Sequence, residues 1–259
     1  MSPSGRGLAQ RQTPSPSLPV GPQQPHRRNL ASMTMPEIAL PSIPGGWGSE
    51  IVSVGGRTLD LWLPKKPDAF LDDPEVIEAN RRDDYMPYWA TLWPGAKIMA
   101  HVIDRAPWPR ETELLELGAG VGLVGLVAQT LGTRVVFSDY DPVAVQVCRY
   151  NAIRNQLPDP EGLTLDWRNP PARQFPAIVG CEVTYDPKLH EPLLQTLATM
   201  LSSGGVCWLG DPGRYWSKQF FQLASQTFQV RILDRDLRVS SFPSDRDFQI
   251  FELRWPEKN

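Results

Sequence analysis

Glu116, Gly118, Gly120 and Gly122 stand at alternate positions in the run Leu114-Leu-Glu-Leu-Gly-Ala-Gly-Val-Gly-Leu-Val-Gly125, and Val-Val-Phe-Ser-Asp139 follows. Glycines without Cβ atoms let a ligand lie against bare backbone, and a strand-end carboxylate can accept hydrogen bonds from a ribose. The chemistry on offer is the holding of a nucleotide-type cofactor. Gly120-x-Gly122-x-x-Gly125 formally fits the dinucleotide fingerprint, with Asp139 on the ribose. The acidic-x-Gly-x-Gly-x-Gly form from Glu116 to Gly122 is a rival reading, because a glycine two residues after a strand-end glutamate leaves little room for the usual pyrophosphate register. A ligand-free glycine turn is the third, opposed by the backbone entropy that three alternating glycines cost.

Ligands in open α/β sheets bind at the carboxyl ends of strands, so the other strand ends matter. One ends in Asp166-Trp167 and the next in Cys181-Glu182-Val-Thr-Tyr185-Asp186. Asp139 can alternatively join Asp141 in capping the next helix, Trp167 can be an ordinary core or surface indole, and Glu182 and Tyr185 a capping acid and a packed ring.

The elements that must position these residues can be read from periodicity. Residues 50–63 alternate around Gly55-Gly56 and predict a β-hairpin. Residues 92–103 have helical apolar spacing. Strands are then expected at 113–117, 134–138, 162–166, 176–181 and 205–210. Helices are expected at 122–131, 142–155 (opened by Asp141-Pro142 as N-cap and first residue), 187–202 and 216–226. Such alternation implies a parallel sheet covered on both faces. The strands expected at 228–235 and 247–254 have no helix between them and imply an antiparallel edge. Asn169-Pro-Pro-Ala172 precedes a strand instead of following one, and reads as a loop.

The chain has 259 residues, 41% of them apolar, enough for a sizeable core. Residues 1–45 carry nine prolines and a single acidic residue, Glu37, and read as a disordered tail before a domain at 46–259. Met33 and Met35 stand near that border and offer alternative starts. Net charge is −3, and the body after the tail is more acidic still, which argues against nucleic acid as partner. Cys148, Cys181 and Cys207 are too scattered for a disulfide framework, and no metal-ligand spacing is present. Without a secretory signal or a membrane-length apolar run, a cytoplasmic setting is expected.

The motifs together resemble class I (seven-β-strand) S-adenosylmethionine-dependent methyltransferases, and within them the protein lysine methyltransferases. The resemblance rests on Tyr88-Trp-Ala-Thr-Leu-Trp-Pro-Gly95, on the glycine turn, on Leu165-Asp-Trp167 and on Glu182-Val-Thr-Tyr185, where the family usually has Asp in place of Glu. Gly210-Asp-Pro-Gly-Arg214 is similar to the branch that methylates the β subunit of electron transfer flavoprotein. The resemblance covers roughly residues 85–255. It implies a Rossmann-like, seven-stranded, mostly parallel α/β sheet with an antiparallel edge, and S-adenosylmethionine as cofactor. It also implies cofactor contacts from Trp89, Glu116, Gly118, Gly120, Gly122, Asp139, Trp167 and Cys181. Glu182 and Tyr185 would stand at a lysine of a protein substrate, the carboxylate orienting the incoming ammonium. A small-molecule N-methyltransferase, a noncatalytic cofactor- or partner-binding module and a nicotinamide oxidoreductase are the rivals.

Overall fold

The structure, a computed structural model, describes residues 38–106 and 112–257. Residues 38–45 form no helix or strand, yet Leu40 and Ile43 pack against the core. The remainder of the proline-rich tail, with Met33 and Met35, lies outside the described residues. The hairpin comes first, β1 (Trp47–Val54) and β2 (Arg57–Pro64) pairing antiparallel from Trp47 opposite Pro64 to Val54 opposite Arg57. Gly55 and Gly56 turn at φ 56° and 75°, the left-handed backbone that a two-residue hairpin loop requires.

A helix without an apolar signature follows. α1 (Pro74–Asp83) buries none of its residues, so periodicity does not announce it; it starts where the Asp73 carboxylate accepts the N–H groups of Glu75 and Val76. α2 (Pro94–Arg105) then leads into the main sheet.

Strands β3 (Glu113–Leu117), β4 (Arg134–Asp139), β5 (Glu161–Thr164), β6 (Phe175–Cys181) and β7 (Leu201–Asp211) run parallel. Helices α3 (Leu123–Thr130), α4 (Pro142–Arg154) and α5 (His190–Met200) connect them, and the segment between β5 and β6 is a loop that holds Asn169-Pro-Pro-Ala172. After α6 (Ser217–Ala224) come β8 (Gln229–Asp234), the two-residue β9 (Val239–Ser240) and β10 (Gln249–Arg254). The order across the sheet is β5-β4-β3-β6-β7-β10-β8-β9. The antiparallel edge is present, with β10 inserted between β7 and β8; β9 is a short eighth strand beyond the expected seven.

Successive strand residues enter opposite cores. Leu114, Ala177 and Val179 face the layer of α2, α3 and α4, while Leu115, Ile178 and Leu209 face α5 and α6. Because the chain winds outward from β3 to β5 and then returns to β6 on the other side of β3, a crevice opens between the carboxyl ends of β3 and β6.

The hairpin is held onto this body by two asparagines one helical turn apart. Asn151 of α4 accepts the Trp62 N–H at 2.7 Å and donates to the Trp62 carbonyl at 3.0 Å and to the Val121 carbonyl at 2.9 Å. Asn155 does the same with Asp60, accepting its N–H at 2.8 Å and donating to its carbonyl at 3.1 Å. The two side-chain amides thus pair with alternate residues of β2 as a neighbouring strand would. Asn151 is fully buried, so Asn151→Ala leaves backbone groups unpaired and should lower unfolding free energy by about 3 kcal/mol. Urea denaturation measures this, and a loss below about 1 kcal/mol would show that the hairpin is held by apolar contacts instead.

Candidate cofactor and acceptor site

The glycine turn closes without a capping side chain of its own. Gly118, Gly120 and Gly122 have φ of 61°, 56° and 87°, and Gly122 is the N-cap of α3. The cap comes from across the turn: Glu116 Oε2 accepts the Gly125 N–H at 2.9 Å, the third amide of the helix. A Cβ at Gly125 would lie 2.4 Å from that oxygen, so the fourth glycine is there for the carboxylate. Asp139 bridges the other half, its Oδ2 accepting the Gly120 N–H at 2.9 Å and its Oδ1 the Asp141 N–H at 3.0 Å. Burial pushes the Glu116 carboxyl up to about 8 and that of Asp139 up to about 6, against the hydrogen bonds that favour their charged forms.

Two indoles flank the turn. Trp167 lies near Gly118, with a ring carbon 3.9 Å from where a Cβ would be, and the Trp89 carbonyl is 3.5 Å from the corresponding point on Gly120. The Trp89 ring is buried between Trp47, at 6.2 Å, and Phe70, at 5.6 Å, so its main chain, more than its ring, faces the turn. Tyr85 joins this side, its hydroxyl donating to the Asp141 carboxylate, which also caps α4 through the Val143 N–H at 2.7 Å.

The β6 exit lies directly over the same turn. A Cβ at Gly118 would meet a Val183 methyl at 2.9 Å, which places the segment from Glu182 to Tyr185 against the cradle. Cys181 is half-buried at the end of β6, its thiol pushed well up by burial. Tyr185 is half-buried, its phenol pushed up to about 12 by burial, and its ring meets Tyr88 edge to face at 5.2 Å.

Glu182 stands where expected but faces backward. It adopts φ 58°, unusual for a side-chain-bearing residue, and this turns its carboxylate into the protein. Oε1 accepts the Gly95 N–H at 2.7 Å and Oε2 is ion-paired to Arg214, so in the acceptor-free protein both oxygens are already engaged. Arg214 and Gly95 were quoted in motifs above without a task, as were Tyr88 and Trp93. Gly95 and Arg214 lie 87 and 32 residues from Glu182 along the chain, beyond the reach of local spacing. Asp211, the acid of Gly210-Asp-Pro-Gly-Arg214, is fully buried; it organises the loop and does not reach the crevice. A cavity of about 140 Å³ lined by Ile103, Leu114, Ala128 and Leu131 includes a residue from the start of β3 and none of the site residues above. Among the described residues no cluster of side chains could hold a metal ion.

A sequence profile described as lysine methyltransferase matches residues 90–227, more than half of the chain. The chain belongs to the lysine methyltransferase family. Its cofactor is S-adenosylmethionine. The chain is 28% identical over 165 residues to histone-arginine methyltransferase METTL23 of Mus musculus, a match covering 59% of this chain and 58% of that protein. It is 29% identical over 178 residues to protein N-lysine methyltransferase METTL21A of Mus musculus, covering 64% and 77%. It is 32% identical over 174 residues to protein-lysine methyltransferase METTL21E of the same species, covering 61% and 68%. The match thus spans just over half of METTL23 and more of the other two. Among solved structures, the Thermus thermophilus 16S rRNA methyltransferase RsmC shares the fold with a TM-score of 0.57 at 16% identity, covering 83% of this chain and 52% of that one. A TehB-like methyltransferase from Corynebacterium glutamicum has a TM-score of 0.53 at 18% identity, covering 70% and 97%.

The residues present fit the family's cofactor. A Cβ at Gly120 would stand in the space beside the Trp89 main chain, 3.5 Å from its carbonyl oxygen, and each Asp139 oxygen, holding one backbone N–H, keeps a lone pair for a ribose hydroxyl. Those hydroxyls need an ionised acceptor, and a carboxyl raised to about 6 gains its proton as pH falls. Affinity for S-adenosylhomocysteine should therefore weaken as pH drops through about 6, while Asp139→Asn should be weaker by about 1.5–3 kcal/mol near neutrality and flat across that window. Calorimetric titration at several pH values decides it. Equal affinity for wild type and variant would confine Asp139 to supporting the turn.

Proposed function

We propose that this protein is an S-adenosylmethionine-dependent protein-lysine N-methyltransferase. The cofactor lies over Gly118–Gly122 and the acceptor enters beside Tyr185. One observation carries the reading: Val183, between Glu182 and Tyr185, packs where the Cβ of Gly118 would be, so the segment for the acceptor and the turn for the donor share a wall.

When bound, S-adenosylmethionine supplies a methyl group on a sulfonium and takes back on sulfur the electron pair of the broken C–S bond. The chain's residues do the rest. Gly118, Gly120, Asp139 and Trp167 hold the cofactor, and Cys181 lines the β6 side. The acceptor nitrogen needs a free lone pair in line with the methyl carbon, and it sheds its proton to water. Neutralising a lysine near pH 7 costs about 4–5 kcal/mol, which a half-desolvated position beside the packed Tyr88 and Tyr185 rings offsets in part. The Tyr185 hydroxyl accepts a hydrogen bond from the amine and fixes its direction. Glu182 acts as a positioning residue, tying the β6 exit to α2 and to Arg214.

A protein acceptor is supported by the METTL21 relatives and by an acidic chain ill suited to nucleic acid. A cytoplasmic setting is part of this reading, supported by three cysteines that are all free. The finer likeness of Gly210–Arg214 to the electron transfer flavoprotein branch makes the β subunit of that flavoprotein a first acceptor to try. An arginine acceptor is the second reading, carried by the METTL23 relatives.

Incubation with tritiated S-adenosylmethionine and a lysate from the protein's own source, followed by acid hydrolysis of the labelled band, should give methyl-lysine. Tyr185→Phe and Glu182→Ala should each lower transfer roughly ten-fold or more with S-adenosylhomocysteine affinity nearly unchanged. Label in methyl-arginine or in a small metabolite would reject the lysine reading, and wild-type rates in both variants would reject the roles given to these two residues.

A further inference from the structure

Arg214 is a charged side chain at the acceptor segment that the reading above leaves without a chemical task. The loop carrying it is built around the buried Asp211 carboxylate. Asp211 Oδ1 accepts the N–H groups of Gly213 at 2.7 Å and Arg214 at 3.1 Å and the Ser217 hydroxyl at 2.6 Å, and Thr184 donates to Oδ2 at 2.5 Å. With its main chain pinned, the guanidinium reaches across the crevice to Glu182 and lies 5.7 Å from the Trp93 ring.

The groups facing it come from three neighbouring elements, Cys181 and Glu182 at the end of β6, Tyr185 in the loop beyond and Trp93 ahead of α2, while Asp211 at the end of β7 holds the main chain of Arg214. Its charge reaches both Tyr185 and Cys181, where it works against the upward push of burial. Glu182 and Arg214 offset each other in one ion pair, and of the two it is Arg214 whose charge reaches the Tyr185 hydroxyl.

That arrangement has a sign. A free buried carboxylate stabilises whichever acceptor is charged, whereas a nearby cation favours the uncharged form of an amine. Lysine can lose its proton and arginine cannot within any working pH. We propose that Arg214, held by Glu182, is a specificity-determining residue: it makes the acceptor slot favourable to the neutral amine of lysine and hostile to a guanidinium. This rests on the reading of residues 182–185 as the acceptor segment. It adds the reason that a glutamate at this place does not itself select a cation.

The test uses the protein saturated with S-adenosylhomocysteine and two side-chain mimics, n-butylamine and n-butylguanidine, with binding followed by saturation-transfer NMR and indole fluorescence. Wild type should bind the amine increasingly well from about pH 7 to about pH 10 and the guanidine at least ten-fold more weakly than the amine at the upper end. Arg214→Gln should reverse this, gaining about ten-fold for both cations near pH 7 and losing the rise with pH, whereas Arg214→Lys should behave as wild type. In the labelling assay the acid limb of the Arg214→Gln profile should move up by about one pH unit with activity recovered at high pH. A residue that merely supported the loop would lose activity equally at every pH and fail in Arg214→Lys as well. Unchanged mimic selectivity in a folded Arg214→Gln, while wild type still yields methyl-lysine, would overturn this proposal alone. Methyl-arginine from wild type would overturn the acceptor reading beneath it.

Discussion

The cradle depends on two carboxylates that satisfy a turn unable to satisfy itself. Of the three alternating glycines, Gly118 and Gly122 admit Val183 and Cys148 at close range and Gly120 leaves bare backbone, and together they remove every side chain that could cap α3. Glu116 and Asp139, from adjacent parallel strands, supply the missing acceptors to Gly125 and Gly120. Burial of both acids is unfavourable taken alone, as the direction of their shifts shows. It persists because removing either would leave a backbone N–H unpaired beside the ligand. The turn is therefore held in its open form by two carboxyl groups of the protein, and a ribose would meet Asp139 already oriented.

The acceptor side repeats the device one strand further along. Trp93 at the N-cap of α2 makes no side-chain hydrogen bond to the helix, and the Gly95 amide is taken by Glu182 from the exit of β6. A Cβ at Gly95 would lie 2.5 Å from Glu182 Oε1, as one at Gly125 would crowd Glu116. Both helices that begin at the crevice thus start against a glycine and are capped by a glutamate from β3 or β6, the two strands that border the topological switch. The difference between them is Arg214. Glu116 is left to its backbone partner, whereas Glu182 also carries a cation that sets the charge seen by an incoming amine.

Local periodicity was enough to place the hairpin, the five parallel strands and most of the helices, because Gly55-Gly56, Asp141-Pro142 and the apolar runs act within a few residues. It overlooked α1, whose exposed residues carry no apolar stripe, although Asp73-Pro74 marks its start. It set the start of β7 at 205, whereas the strand begins at Leu201 directly after α5, the bond between the two elements leaving no turn residue to read. Among site residues, the glycines and Asp139 were legible because their task is written in spacing. Glu182 was legible in place but not in orientation: its left-handed backbone and its pairing with Gly95 and Arg214 come from three separate segments. The Trp89 ring, suited on its own to face a cation, is instead enclosed by Trp47 and Phe70.

The hairpin is the least expected contributor, since it precedes the stretch that matches the family. Asn151 joins the main chain of Trp62 to the Val121 carbonyl inside the glycine turn, and Trp47 of β1 packs on Trp89, whose carbonyl overlooks Gly120. Two independent contacts therefore run from the hairpin to opposite sides of the same turn. Displacing the hairpin would strip a partner from Val121 and lateral support from Trp89 at once. A cradle made of glycine has little stiffness of its own, and here that stiffness is borrowed from β1, β2 and α4, so the matched family region needs residues ahead of it to hold its cofactor turn in shape.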